Sequence, residues 1–344
     1  MKRPNRLRRR VSRRLPSSCC ALLAVLVAWF AVARFVAAQS PDDDEPKIRK
    51  PEAVSLVTRD GVRLAATYYP AGTTKKTNKE AIPVVLLHSW KGSQAEFATL
   101  APQLQGLGHA VLVPDLRGHG RSTSQQVGQN TVELKADKLL QRDFVAMVQF
   151  DVLALKDFLW ERNNAEELNL NKLCLVGSEM GATVALYWAL LDARGYEQGQ
   201  PTYGALQLGR FVKAAVLLSP EWVFKGLPSK TPIDFPAVRS EVALLILVGA
   251  DGSRNVRDAE QIHKILEPYH RFDDAGLNAK QKLARTTLFL GKLDTALQGS
   301  KILEARQLRT PPEAHIIRFI ELRLIEAPEA VAWKWKALSR PHGG

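Results

Sequence analysis

The sequence predicts an α/β domain with a mostly parallel sheet and helices on both faces. Three observations carry this. Short, unbroken apolar runs recur along the chain, as strands buried on both faces require. Segments with helical apolar spacing alternate with them. A hairpin signal, Asp60-Gly61 between two strand-like runs, opens the pattern.

The elements follow in order. Val54–Thr58 and Val62–Tyr69 form the expected hairpin, and Ile82–Leu87 is the first buried strand. Ala95–Leu104 reads as a helix and Ala110–Val113 as a strand. Arg121–Lys138 is polar and reads as an irregular excursion. Phe144–Trp160 places Val145, Val148, Val152, Leu155 and Leu159 at helical spacing. Leu173–Val176, Ala214–Leu218 and Ala243–Val248 are further strands, with a helix over Ala182–Leu191 after the first of them. Asp258–Leu266 is a helix, Thr286–Leu290 a last strand and Ile316–Ile325 a closing helix. The stretches 121–142 and 220–241 are too short for a helical cap, so the lid is short or absent. One domain over 53–327 is expected, followed by a tail over 328–344. In that tail, Trp333-Lys334-Trp335-Lys336 alternates apolar and basic residues. It reads as an edge strand or docking tail, with a membrane-surface or partner contact as the sharper alternative.

The net charge of +13 belongs mostly to the N-terminus. Residues 1–38 hold nine basic residues and no acid, leaving 39 basic against 35 acidic beyond them. No nucleic-acid partner is expected from a remainder that balanced. The basic stretch to Arg14, the apolar run Cys19–Ala33 and Val36-Ala37-Ala38 have the order of a signal peptide over 1–38. Export to a periplasm or the cell exterior is the expectation. The alternative is a membrane anchor over 17–36, since Arg34 interrupts the cleavage region. Residues 39–52 are acidic and read as a linker. Cys174 lies beyond this segment within an apolar strand, so it reads as an inert core thiol.

Three motifs stand in sequence. Val84-Val85-Leu86-Leu87-His88-Ser89-Trp90 is a strand running into a polar loop. Asp115-Leu116-Arg117-Gly118-His119-Gly120 is a glycine-bearing loop after a strand, in which Asp115 and Arg117 are expected to pair. Val176-Gly177-Ser178-Glu179-Met180-Gly181 has glycines two residues before and two after Glu179. In a tight strand-to-helix turn those two positions are crowded and must be small. Placing Ser178 at the apex would put Val176 and Met180 there, so the register selects Glu179.

In these motifs the chain resembles the α/β-hydrolase family, including its serine hydrolases and lysophospholipases, over residues 53–325. The resemblance implies a nucleophile elbow with Glu179 in place of serine, an acid at Asp251, and oxyanion-binding N–H groups on Trp90 and Met180. Ser89 stands where the family usually has glycine, and His119 is a loop histidine of the pattern, not a base. The family's base would follow the last strand, yet residues 271–314 contain no histidine. His315 comes late, at the start of a helix. Dehalogenases and epoxide hydrolases of the family use a carboxylate nucleophile, but they keep the histidine.

The expectation is therefore an exported α/β-hydrolase-like protein with impaired catalysis, binding a small molecule or a protein partner. The alternative is a hydrolase of ester-like or halide-like bonds acting through Glu179. A third reading is an interaction protein with a filled pocket. An ion pair between Glu179 and Lys292 is expected to plug the site. A metal cluster of Glu179, Asp251 and Asp294 would lack a histidine, and neither metal nor cofactor is expected.

Overall fold

The computed structural model describes residues 47–73, 76–197 and 210–338. The expected signal peptide or anchor, most of the linker and the last six residues of the tail lie outside the described residues. Among the described residues, no helix is long and apolar enough to cross a membrane.

The fold is a ten-stranded sheet. Its strands are β1 (Glu52–Val57), β2 (Val62–Tyr69), β3 (Pro83–Leu87), β4 (Ala110–Pro114), β5 (Ser124–Val127), β6 (Asn130–Glu133), β7 (Leu173–Ser178) and β8 (Val212–Leu218). A separate two-stranded piece follows, β9 (Val223–Phe224) with β10 (Leu227–Pro228), before β11 (Ala243–Gly249) and β12 (Leu288–Leu293) complete the main sheet. The order is β12-β11-β8-β7-β3-β4-β2-β5-β6, with β1 paired to β2. From β4 through β12 the pairs are parallel, and the β1, β2, β5 and β6 edge is antiparallel. The core alternates strictly along the central strands. Val85, Leu87, Leu175, Leu217 and Ile246 face one apolar cluster, while Val84, Leu86, Val176, Val216 and Leu247 face the other. Each such side chain contributes roughly 1.5–3 kcal/mol by leaving water.

The helices cover both faces. They are α1 (Leu100–Gly106), α2 (Gln141–Ala146), α3 (Val152–Asn164), α4 (Met180–Glu197), α5 (Lys230–Ile233), α6 (Pro236–Glu241), α7 (Ser253–Leu266), α8 (Ala279–Arg285) and α9 (Pro312–Leu324). Residues Leu100 and Leu104 of α1 join Ile316 and Phe319 of α9 in one cluster. Phe144, Leu155, Leu186 and Ile262 supply the other.

Several expectations change. Residues 121–138 are not irregular: β5 and β6 make a hairpin that extends the sheet past β2. Both strands are largely exposed, so no apolar alternation marks them. The helix expected over 95–104 is split into a 3-10 turn, Gln94–Phe97, and α1. The chain also joins the fold before residue 53, since Ile48 bridges Thr73 and Arg49 pairs with Glu167. Finally, α2 and α3 are joined by a π-turn, Met147–Asp151.

That π-turn delivers buried Asp151 to Arg117. Asp151 accepts from the Arg117 backbone N–H at 3.0 Å and from Nε at 2.9 Å, and Asp60 takes Nη1 at 2.7 Å. The expected Asp115–Arg117 pair does not form. Asp115 instead accepts from the Gln94 backbone (2.8 Å), the Gln94 carboxamide (3.0 Å) and the Arg121 backbone (2.9 Å). The two residues brace the same loop from different sides.

Residues 333–338 are neither an edge strand nor free. They lie along a row of asparagines. Asn169, Asn171, Asn163 and Asn164 donate to the carbonyls of Trp333 (2.8 Å), Lys334 (3.2 Å), Lys336 (3.0 Å) and Leu338 (2.7 Å). The tail is docked by side chains, not by a neighbouring strand.

Candidate functional site

The parallel strands β3, β7, β8, β11 and β12 are neighbours in the sheet, and the loops after β3, β7 and β12 line one cavity. Glu179 is its apex residue. It sits between β7 and α4 with φ +48°, the left-handed region that an L-residue enters at a cost of about 1–3 kcal/mol. Its N–H donates to Leu218 O at 2.9 Å, and its carbonyl accepts from Ala182 N at 3.0 Å. The flanking glycines are sterically required. A Cβ on Gly177 would lie 2.2 Å from Gly181 O, and one on Gly181 would lie 2.1 Å from Leu87 O. Ser178 is fully buried and its Oγ accepts from Ser300 N at 2.7 Å, so it faces the loop after β12.

The loop after β3 is fixed by a carboxylate that the sequence reading missed. Glu96 accepts from Ser89 N at 2.9 Å and from Ser89 Oγ at 2.5 Å. Gly92 makes room, since a Cβ there would lie 1.7 Å from Glu96 Oε1. The spacing Ser93-Gln94-Ala95-Glu96 resembles a helix-capping box and marked Glu96 as a residue with a local partner. Trp90 donates its Nε1–H to Ala136 O at 3.2 Å and carries the Lys225 ammonium 4.0 Å above its ring. Residues from 121–142 and 220–241 thus meet over Trp90 as a small cover.

His88 is no hidden base. It is buried, Nδ1–H donates to Ser89 O at 2.7 Å, and Nε2 accepts from Leu116 N at 3.0 Å. Burial pushes its pKa down. His119, also buried, donates from Nδ1 to Arg117 O at 2.8 Å, and burial lowers its pKa to about 4.

The position after the last strand is taken by Gln298. Its Oε1 accepts from Ser219 Oγ at 2.8 Å, and its Nε2 donates to Gly249 O at 2.9 Å. Gly299 follows with φ +58°, and its N–H donates to Ser219 Oγ at 2.8 Å. A Cβ on Gly299 would stand 3.0 Å from the Glu179 carboxyl carbon. This loop therefore closes directly over the apex residue and stitches β8, β11 and β12 together.

The other expected residues are placed as follows. Met180 is buried at the start of α4, and Trp90 lines the cavity. Asp251 is exposed in the turn after β11 and does not line the cavity. Lys292 does not reach Glu179. β12 runs to Leu293 instead of ending at Leu290, so Lys292 lies within the strand and pairs with Glu260 of α7. Asp294 is exposed. Among the described residues no group of three His, Cys, Asp or Glu side chains could hold a metal ion. His315 lies on α9 away from the cavity lining.

The cavity measures about 610 Å³, and Trp90, Lys91, Glu96, Glu179, Lys301 and Glu304 are among its walls. This size suits a small organic molecule. None of its lining residues is a histidine. The Glu179 carboxylate is half-buried. Burial raises its pKa, the like charge of Glu96 adds to this, and Lys301 opposes it. Glu221, beyond β8, is raised by burial and also feels Glu179.

A family profile described as the alpha/beta hydrolase fold matches residues 82–233, which include β3, the Asp115–Ser122 loop and the Glu179 elbow. The chain has the α/β-hydrolase fold. Two solved structures agree on the fold. A hyperthermophilic esterase from the archaeon Pyrobaculum calidifontis superposes with a TM-score of 0.51 at 12% identity, covering 89% of this chain and 94% of that one. The alpha/beta hydrolase GrgF from Penicillium sp. sh18 gives 0.50 at 12% identity, covering 80% and 99%. An esterase from Pyrococcus furiosus shares 18% identity over 81% and 93% of the two chains, with a TM-score of 0.47. Among curated proteins, none matches the chain in sequence. Within this α/β-hydrolase fold, the elbow residue is a glutamate and the loop after the last strand presents a glutamine.

Proposed function

We propose that this α/β-hydrolase-fold protein does not hydrolyse its ligand, but binds a small molecule in the cavity around Glu179, outside the cytoplasm. One observation carries the reading: the loop that would bring a base to the apex instead presents Gln298, whose carboxamide is committed to Ser219 and Gly249. A carboxamide does not accept a proton at neutral pH. General-base help of the missing kind is typically worth about 10²–10⁴-fold. Export rests on the basic-then-apolar order of residues 1–38. Mass spectrometry of the protein from its native host checks it: cleavage is expected after Ala38.

A panel of p-nitrophenyl esters and haloalkanes tests the main reading. No turnover above background is expected. Turnover that Glu179→Ala abolishes would establish the alternative, a hydrolase using Glu179. That alternative draws on the left-handed apex position of Glu179 and its access to the cavity. Trapping of an ester on Glu179, read by peptide mass, would separate a nucleophile from a binding group.

A further inference from the structure

The cavity's charges have a definite depth order. Glu179 is half-buried at the apex, and neither a hydrogen bond nor an ion pair engages its carboxylate among the described residues. Glu96 stands close enough to repel it. A half-buried carboxylate without a partner is costly, and a donor or a positive charge relieves that cost. The two wall cations, Lys91 and Lys301, are exposed and so stand at the mouth, together with exposed Glu304. Three carboxylates and two ammonium groups leave the cavity near one negative charge, with the negative end deep and the positive groups outside.

Gly299 keeps the deep carboxylate reachable. Its missing Cβ would otherwise crowd the Glu179 carboxyl carbon at 3.0 Å. Trp90 adds an aromatic wall, but its ring is already occupied by the Lys225 and Lys91 ammonium groups at 4.0 and 4.6 Å. It is therefore not free to take a further cation, which leaves Glu179 as the cavity's deep cation acceptor.

We propose that the cavity binds a small zwitterion, with its ammonium group on the Glu179 carboxylate and its anionic group at the mouth against Lys91 and Lys301. This rests on the binding reading above and specifies the ligand class for the same site. A neutral ester or hydrocarbon would leave the deep charge unpaired. A simple anion would be repelled by Glu179 and Glu96.

Three probes of one length test the proposal by titration calorimetry on the full chain: 6-aminohexanoate, hexylamine and hexanoate. The zwitterion is expected to bind at least tenfold tighter than either single-charge probe. Glu179→Gln, which keeps shape, should weaken it at least tenfold. Lys91→Ala with Lys301→Ala, both at exposed positions, should erase its advantage over hexylamine while leaving amine binding. Equal affinity for hexylamine and 6-aminohexanoate, no effect of Glu179→Gln in a folded variant, or no binding by any probe at millimolar concentration would each overturn the zwitterion. The binding reading fails separately, through Glu179-dependent turnover in the ester panel. A neutral compound that binds and is blocked by Gly299→Leu would keep the binding site and overturn only its ligand class.

Discussion

The two ends of the parallel strands treat polar groups in opposite ways. At the N-terminal end, before β7, the docked tail meets an asparagine at the carbonyls of Trp333, Lys334, Lys336 and Leu338. Asn164 also accepts from Leu338 N at 2.8 Å, and the Trp335 indole donates to Asn163 O at 3.0 Å. At the C-terminal end the backbone is equally well tied, through Gln298, Ser219 and Glu96, but the charged group at the centre is left open. Along the tail the polar groups are matched within the fold. In the cavity the Glu179 carboxylate has no such partner among the described residues.

Breaking the backbone of the open end should have the largest effect. Gly181→Ala sets a Cβ against the Leu87 carbonyl, and something rigid must shift. A loss of about 4 kcal/mol or more, or failure to fold, is expected in urea unfolding. Deleting residues 333–344 removes the matched end's strap, including buried Leu338. Roughly 2–4 kcal/mol should be lost, since side-chain burial and several net hydrogen bonds go while chain entropy is regained. Asn169→Ala keeps the tail but strands the Trp333 carbonyl and frees Glu80, for about 1–3 kcal/mol. Equal stability of the deletion variant and the full chain would remove the matched end from the comparison.

The smallest effect has the opposite sign. Glu179 has a raised folded pKa, so its neutral form is the one the fold favours. The associated stability is fully present below the unfolded carboxyl value and is lost as pH rises through the higher folded value. Glu179→Gln, which stays neutral, should therefore melt slightly above the parent at pH 8. The difference should vanish at pH 4. A constant difference across that range would mean that the glutamate is already satisfied in the free protein.

Most of the fold was legible in the sequence because its strands are unbroken apolar runs bounded by glycine-bearing turns. The β5–β6 hairpin was not, since it buries nothing and its pairing depends on β2 being nearby. The elbow was legible because Gly177 and Gly181 leave only one register, and the crowding they imply is present at both positions. The rest of the site depended on small differences. β12 extends three residues beyond its expected end, which moved Lys292 from a loop into the strand and onto Glu260. Asp251 was placed by a motif position alone, and it stands exposed outside the cavity lining. Gln298 gave no signal at all. A carboxamide that bridges three strands looks, in sequence, like any polar loop residue.

On the binding reading proposed above, that bridge also sets the distance between this protein and a working hydrolase. Changing the elbow to serine would supply a hydroxyl with no neighbour to take its proton. Installing an imidazole at 298 would supply the proton acceptor but cut the tie that holds the tips of β8 and β11 beneath it. Either change alone therefore yields a protein no more active than the parent, and the second yields a looser one. On that reading, a working site is reached only by changing both positions together.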